Sequence, residues 1–242
     1  MRRLLVPIIL LFPVLMLAVW VYVGFAARQK MPQNSANTSI AARAAQYGPA
    51  ARTRLRPFFD AARVAYPPAR VVMLALKQEK IIELYAANTN QDLRFICSCP
   101  ILAASGTAGP KLREGDRQVP EGIYPVESLN PNSKFHLSLR LGYPNDFDRE
   151  QARRDGRDQL GGDIMIHGGA ASVGCLAVGD EAAEDLFVLA ADTGISAVTV
   201  IISPVDFRKA GNFEPPGKDL PAWTVALYQT IKTNLNELPL KK

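Results

Sequence analysis

Leu4 to Ala27 is a run of 24 residues without a single charge. As a helix, a run of that length crosses the ~30 Å apolar core of a bilayer. The apolar core of a cleavable signal is shorter, at about 7–15 residues. Trp20 and Tyr22 lie near the far end, where interfacial aromatics collect. Pro7 and Pro13 are tolerable in a membrane helix. Arg2 and Arg3 precede the run, while Arg28 and Lys30 follow it. With the amino terminus, the small excess before the run favours a cytoplasmic start and an exported body. Residues 1–27 are therefore expected to form one N-terminal transmembrane helix. Gly24-Phe25-Ala26 leaves cleavage as a signal open. The expected place of the body is the periplasm, anchored to the inner membrane, or secreted after cleavage.

The remainder has the composition of one globular domain with appendages. The net charge of +5 comes from scattered Lys and Arg, many beside Asp or Glu. No basic block with interleaved aromatics occurs, so nucleic acid is not an expected partner. Three cysteines make no disulfide framework. Cys97 and Cys99 flank one serine, and a bridge across so short a loop is strained. Two residues apart on a strand, they are expected on one face. Zinc held by Cys97, Cys99, Cys175 and a histidine lacks the usual ligand spacing, so no metal is expected.

Residues 28–48 are polar and read as a linker. Pro49 to Ala65 has helical spacing at Leu55, Phe58, Phe59 and Ala62. Arg70–Leu76 and Lys80–Ala86 read as a hairpin, and Leu93–Ala104 as a further strand. Lys111–Pro125 reads as a long loop, and Phe135–Leu141 alternates like a strand. Asn145–Leu160, dense in Asp and Arg, reads as a surface helix or loop, or a lid over substrate. Asp180–Ala191 carries a helical stripe, Ser196–Ile202 is β-branched, and Trp223–Leu235 suits a closing helix. The class is mainly β or α+β. The expected divisions are a catalytic domain over 49–210 and a C-terminal extension over 211–242, with its helix packed on the domain.

The chemistry concentrates in Asp163–Asp180. His167, one of two histidines, precedes Cys175 by eight residues. Cysteine is the most nucleophilic side chain at neutral pH, and histidine is its usual base. A neighbouring imidazolium lowers a thiol's pKa from about 8.5. Gly174 permits a tight turn, in which the amides of Gly174 and Cys175 would face an oxyanion. Ser172 would bond substrate or shape the loop. The intervening Gly, Ala and Ser are poor packing material, which argues against two residues that merely fill a core.

The run IHGGAASVGCLA resembles the active-site signature of the L,D-transpeptidase catalytic-domain family of YkuD type. Gly109-Pro110-Lys111, Arg113 to Asp116, Val119 to Gly122 with Tyr124, Phe135 to Ser138 and Gly142 to Asn145 resemble its YafK-like, murein-processing branch. The resemblance covers about Val71 to Ile202. It implies a β-sandwich-like mixed sheet with flanking helices, Cys175 as nucleophile, His167 as general base, and Ser172 and Gly174 in the oxyanion loop. It implies no cofactor. Gly168, Gly169, His136 and Tyr143 would lie near the substrate. As basic residues, Lys111, Arg113 and Arg140 would meet its carboxylates or serve as solvated surface charge. Val173 and Ala177 depart from the family's histidine and its Arg or Asn.

The implied reaction is acyl transfer from the L-centre of the third stem-peptide residue of peptidoglycan, through a cysteine thioester. An amine acceptor gives a cross-link or a protein–wall bond. Water gives an L,D-peptidase that trims stems or releases wall-attached lipoprotein. A reading of another class is a membrane-anchored wall-binding protein with a dead site.

Overall fold

A computed structural model describes residues 37–210, 213 and 220–240. The expected membrane helix lies outside them. Among the described residues, no helix is long and apolar enough to cross a membrane.

Helix α1 spans Ile40–Ala62. The residues read as linker therefore turn helical at Ile40, ahead of the expected start at Pro49. Ser39 caps the end by accepting from the Ala42 amide, and the alanines that follow have high helix propensity. Pro49 and Pro57 lie inside the helix. Tertiary contacts hold the turns beyond Pro49: Arg52 binds Asp192, and Arg54 binds Asp185 and Glu184. Strands β1 (Arg70–Leu76) and β2 (Ile81–Ala87) form the expected antiparallel hairpin. After β3 (Arg94–Pro100) and β4 (Ala103–Ala104) comes β5, Gly122–Ser133. The loop reading of Lys111–Pro125 thus gives way to a strand at Gly122, where Gly122 to Pro125 pair with β9. Then follow β6 (His136–Leu141), α2 (Asp146–Arg154), β7 (Met165–His167), β8 (Leu176–Ala177), α3 (Asp180–Thr193), β9 (Val198–Ser203) and α4 (Thr224–Leu235).

The strands form one mixed sheet in the order β3-β2-β1-β9-β5-β6-β7-β8-β4. This is α+β architecture, with four α-helices among the described residues. Strand β5 joins two wings: its first residues pair with β9 and the rest with β6, across bulges near Val126 and Asn130. The segment expected as one strand over Leu93–Ala104 serves both ends of the sheet. The Ile101 amide donates to Lys80 O beside β2, and the next amide, of Leu102, donates to Ala177 O in β8. The sheet therefore curls until its ends meet, which accounts for the sandwich-like expectation.

One core joins Leu55 and Phe59 of α1, Leu186 and Phe187 of α3, Met73 and Leu84 of one wing and Leu139 and Ile166 of the other. A second core puts Leu227, Ile231 and Leu235 of α4 against Val72, Leu74 and Tyr85. Val71, Met73 and Ala75 face the first core, and Val72, Leu74 and Leu76 the second. A strand covered on both faces reads as an unbroken apolar run, because neither set of alternate side chains meets water.

Helix α2 begins in a reciprocal cap, with Asn145 and Asp148 each accepting from the other's amide. Burial pushes the Asp148 carboxyl up to about 6, against the bonds that favour its charge. Its folded pKa lies above its unfolded value. Its contribution is therefore complete below about pH 4 and is lost as pH rises through about 6. Asp148→Asn keeps the acceptor and removes the buried charge. It should raise unfolding free energy at pH 8 by about 1–3 kcal/mol and flatten the pH 4–6 stability profile. Urea melts across that range check both outcomes.

Candidate active site

Strands β7 and β8 are parallel, with Ile166 opposite Leu176 and His167 opposite Ala177. Ile166 and Leu176 point into the first core. Alternation sends His167, and Cys175 just before β8, to the other face. The sheet thus brings the two together, one diagonal step apart.

His167 is 3% exposed. Its Nδ1 lies 2.7 Å from the carbonyl oxygen of Gly168. A carbonyl only accepts, so Nδ1 carries the proton and Nε2 is the lone-pair nitrogen. The ring of Phe135 lies 4.7 Å away, tilted by 32°. Phe135 is itself 49% exposed and shields one side of the base. Nothing in the sequence singled it out beyond its place next to His136.

Cys175 is half-buried at a cavity of about 180 Å3, lined also by Lys111, Glu114, Arg117, Asp163, Val173 and Gly174. Its thiol donates to Asp163 O at 3.5 Å. No hydrogen bond joins it to the His167 ring among the described residues. Burial pushes its pKa up, and Asp163 adds to this. The Met165 backbone and Lys111 act the other way. The resting group is a protonated thiol, and a proton acceptor is needed to make it a nucleophile at neutral pH.

Gly174 turns the chain at φ +84°. Its amide donates to Ser105 Oγ at 2.6 Å, and the Cys175 amide donates to Ser172 Oγ at 3.0 Å. Both amides expected to face an oxyanion are thus bound to hydroxyls here. Ser105 also donates to Arg117 O at 2.6 Å, so its proton is used. The Ser172 hydroxyl accepts from Cys175 and has no acceptor of its own among the described residues. The link from Ser105 to Gly174 spans 69 residues, and no local motif reveals it.

The other expected residues are distributed around this centre. Lys111 lines the cavity, but its ammonium is held by Asp116 at 2.6 Å and Arg113 O at 2.9 Å. Burial opposes ionisation of Asp116. Lys111 and the amides of Gln118, Arg113 and Leu112 nevertheless hold its pKa below the usual carboxylate range. Arg113 lines a separate cavity with Arg157 and Gln118. Arg140 is paired with Glu127 and Asp163. Tyr143 is buried, and its hydroxyl reaches Lys111 O and Leu160 O, tying down the segments beside the cavity. His136 turns away from Cys175. At φ +70° it bonds Glu184 of α3 through Nε2 at 2.9 Å and meets Tyr47 of α1 edge-on. The amide of Gly169 donates to Asp180 Oδ1.

Gly168 has no room for a side chain. A Cβ there would lie 2.6 Å from Asp180 Oδ1, 2.8 Å from Phe135 O and 2.9 Å from His136 Cβ. Gly168→Ala should cost about 1–3 kcal/mol by overpacking and push Phe135 off the base. Denaturant unfolding measures the first effect, and the His167 ring NMR shifts report the second.

Cys97 and Cys99 are free thiols that share one face, as expected, and line an apolar cavity with Leu55 and Leu186. Burial pushes them up to about 12 and about 11. Among the described residues, no group of three or more His, Cys, Asp or Glu is placed to hold a metal.

The profile of the YkuD L,D-transpeptidase catalytic domain matches residues 69–202, more than half of the chain. The chain belongs to the L,D-transpeptidase catalytic domain family. YafK of Escherichia coli strain K12, named for the same family, is 32% identical over 119 residues. That stretch is 48% of this chain and 46% of YafK, so the chain spans about half the length of the curated relatives it matches. Among solved structures, the helical cell shape determining protein Pgp2 of Campylobacter jejuni is similar at 22% identity and a TM-score of 0.43, over 62% of this chain and 50% of Pgp2. L,D-transpeptidase 1 of Mycobacterium tuberculosis is similar at 14% identity and a TM-score of 0.32, over 55% of this chain and 62% of that one. These structures are too distant to carry the assignment, which rests on the family profile.

Proposed function

We propose that this protein is a cysteine acyltransferase acting on peptidoglycan stem peptides. The observation that carries the reading is the Nδ1 bond of His167 to Gly168 O. It fixes the tautomer whose Nε2 accepts a proton, on the sheet face that carries Cys175. In the proposed reaction, Nε2 takes the thiol proton and Sγ attacks the carbonyl at the L-centre of the third stem residue. The Ser172 hydroxyl, and the Cys175 amide if substrate draws it from Ser172, stabilise the oxyanion. Collapse breaks the C–N bond, the imidazolium protonates the leaving D-amino acid, and a thioester remains. An incoming amine, or water, then loses its proton to Nε2 and takes the acyl group. The separation of His167 and Cys175 fits a resting site, since catalytic hydrogen bonds often tighten only with substrate bound. Residues 4–27 would anchor this domain in the inner membrane, with the body on the periplasmic side.

Incubation with defined muropeptides tests the reading. Loss of the fourth stem residue is expected, with an acyl-enzyme mass on Cys175. A cross-linked product identifies an amine acceptor, and a shortened stem identifies water. Stem peptides left as intact by the wild type as by Cys175→Ala would refute the assignment.

A further inference from the structure

Strand β4 pairs with β8 through Ala103 opposite Ala177 and Ala104 opposite Leu176. One step further along that register, Ser105 stands opposite Cys175. The backbone ladder stops there, because the Cys175 amide turns to Ser172 Oγ. The side chain of Ser105 takes over. Its hydroxyl accepts from the Gly174 amide and donates to Arg117 O, each at 2.6 Å. The hydroxyl's one proton is thereby spent, so toward Gly174 it is an acceptor alone.

Little else holds the nucleophile turn. Ala170, Ala171 and Val173 are exposed, so packing does not fix the stretch. Among the described residues, the bond from Gly174 to Ser105 is the one hydrogen bond that ties residues 170–174 to another segment. Gly174 is buried, and a buried amide needs a partner. Ser105 in turn stands on a stiff loop. The Gln118 side chain accepts from the Thr107 amide at 3.0 Å and donates to Thr107 O and Gly109 O, each at 2.6 Å. Asp116 accepts from the amides of Leu112, Arg113 and Gln118. Lys77, which follows β1, donates to Gly109 O and Val119 O and so roots the loop in the sheet. Rigidity passes from the sheet through Ser105 to the residue before the nucleophile.

The two amides at this turn therefore differ in standing. That of Cys175 is bound inside the turn by a hydroxyl free to rotate, so an oxyanion can take it. That of Gly174 is bound from outside by a hydroxyl fixed at both ends. Resting on the function proposed above, we propose that Ser105 is a positioning residue for acyl transfer. Through Gly174 it holds the turn that aims the Cys175 amide at the oxyanion. Ser105 does not line the cavity beside Cys175, so its action is indirect.

The full-length protein and its Ser105→Ala and Ser105→Thr variants are compared in two reactions of Cys175. Acylation by a defined stem tetrapeptide needs the oxyanion donor, and alkylation by iodoacetamide does not. Ser105→Ala should lower the acylation kcat by roughly tenfold to a hundredfold at a nearly unchanged KM, the cost of a misplaced reacting group. Its alkylation rate, and the pH midpoint of that rate, should match the wild type. Ser105→Thr keeps the hydroxyl and should recover most of the acylation. Cys97 and Cys99, whose thiols burial keeps protonated, should stay unalkylated in a folded variant. If Ser105→Ala does not fold, Ser105→Cys takes its place, with the same shape and a weaker acceptor. An acylation kcat equal to the wild type would overturn the proposal. So would a faster one, since Ser105 would then be withholding an amide that the oxyanion needs. An equal fall in acylation and alkylation would also overturn it, by placing the effect on the thiol. Wild-type Cys175 that alkylates but never acylates would instead refute the function proposed above, and this role with it.

Discussion

His167→Gln should slow acylation of Cys175 by about 10²–10⁴-fold, the range of a lost general base. The pH dependence should change as well. In the wild type, Nε2 supplies the proton acceptor near neutrality. In the variant, the thiol must ionise unaided, and burial together with Asp163 holds its pKa above the ordinary cysteine value. The variant's acylation rate should therefore climb with pH until the thiol is fully ionised and level off only above that value. Cys175→Ser should abolish the thioester at every pH. Stopped-flow mass analysis of the acyl-enzyme from pH 6 to 10 separates these outcomes. A His167→Gln rate equal to the wild type at pH 7 would remove His167 from the chemistry. Unchanged circular dichroism in both variants would exclude a folding defect.

Arg208→Ala should destabilise the body by about 3–5 kcal/mol. The guanidinium side chain is 5% exposed, and its partners Glu83 and Asp206 are each 2% exposed. It donates to Glu83 Oε2 at 2.7 Å, to Asp206 Oδ1 at 2.7 Å and to the Tyr85 hydroxyl at 2.6 Å. Removing it leaves Glu83 without a cation and Asp206 with only the exposed Lys209. Burial works against the charge of Asp206, and Arg208 is the main group holding its pKa below the usual range. Asp206 therefore stabilises the wild type above its unfolded pKa, and that contribution is lost as pH falls through the folded value. In Arg208→Ala the loss should be largest at neutral pH and partly relieved toward pH 4. Urea melts at pH 7 and pH 4 measure both. Replacing Arg208, Glu83 and Asp206 together by apolar residues should cost far less than Arg208→Ala alone, because no unpaired charge would remain.

The most legible parts of the fold were those with local causes. Strands β1 and β9 are built on the apolar runs Val71–Leu76 and Val200–Ile202, and α3 carries a stripe at Ala183, Leu186, Phe187 and Ala190. The nucleophile and base stood out because they are rare residues in a glycine-rich loop. What stayed hidden depends on distant partners or on backbone sign. The start of α1 at Ile40 shows no apolar periodicity, and its later turns are braced by acids of α3. The left-handed turn at His136 sends that ring toward α3 and puts Phe135 on the base instead. Lys111 looked like a free cation, although its neutralising Asp116 lies only five residues on.

The segment that changes partners between Ile101 and Leu102 has a consequence for how molecules of this protein meet one another. An open sheet exposes rows of unpaired amides and carbonyls along its outermost strands, and these invite strand-by-strand association. Here one outermost strand runs directly into the other, and the amides at the junction are both in use. The far strand is only two residues long, and the near one ends in Pro100, which has no amide to offer. The junction itself offers no template for another chain to extend, a useful property for a domain proposed to work in the crowded space beside a polymer.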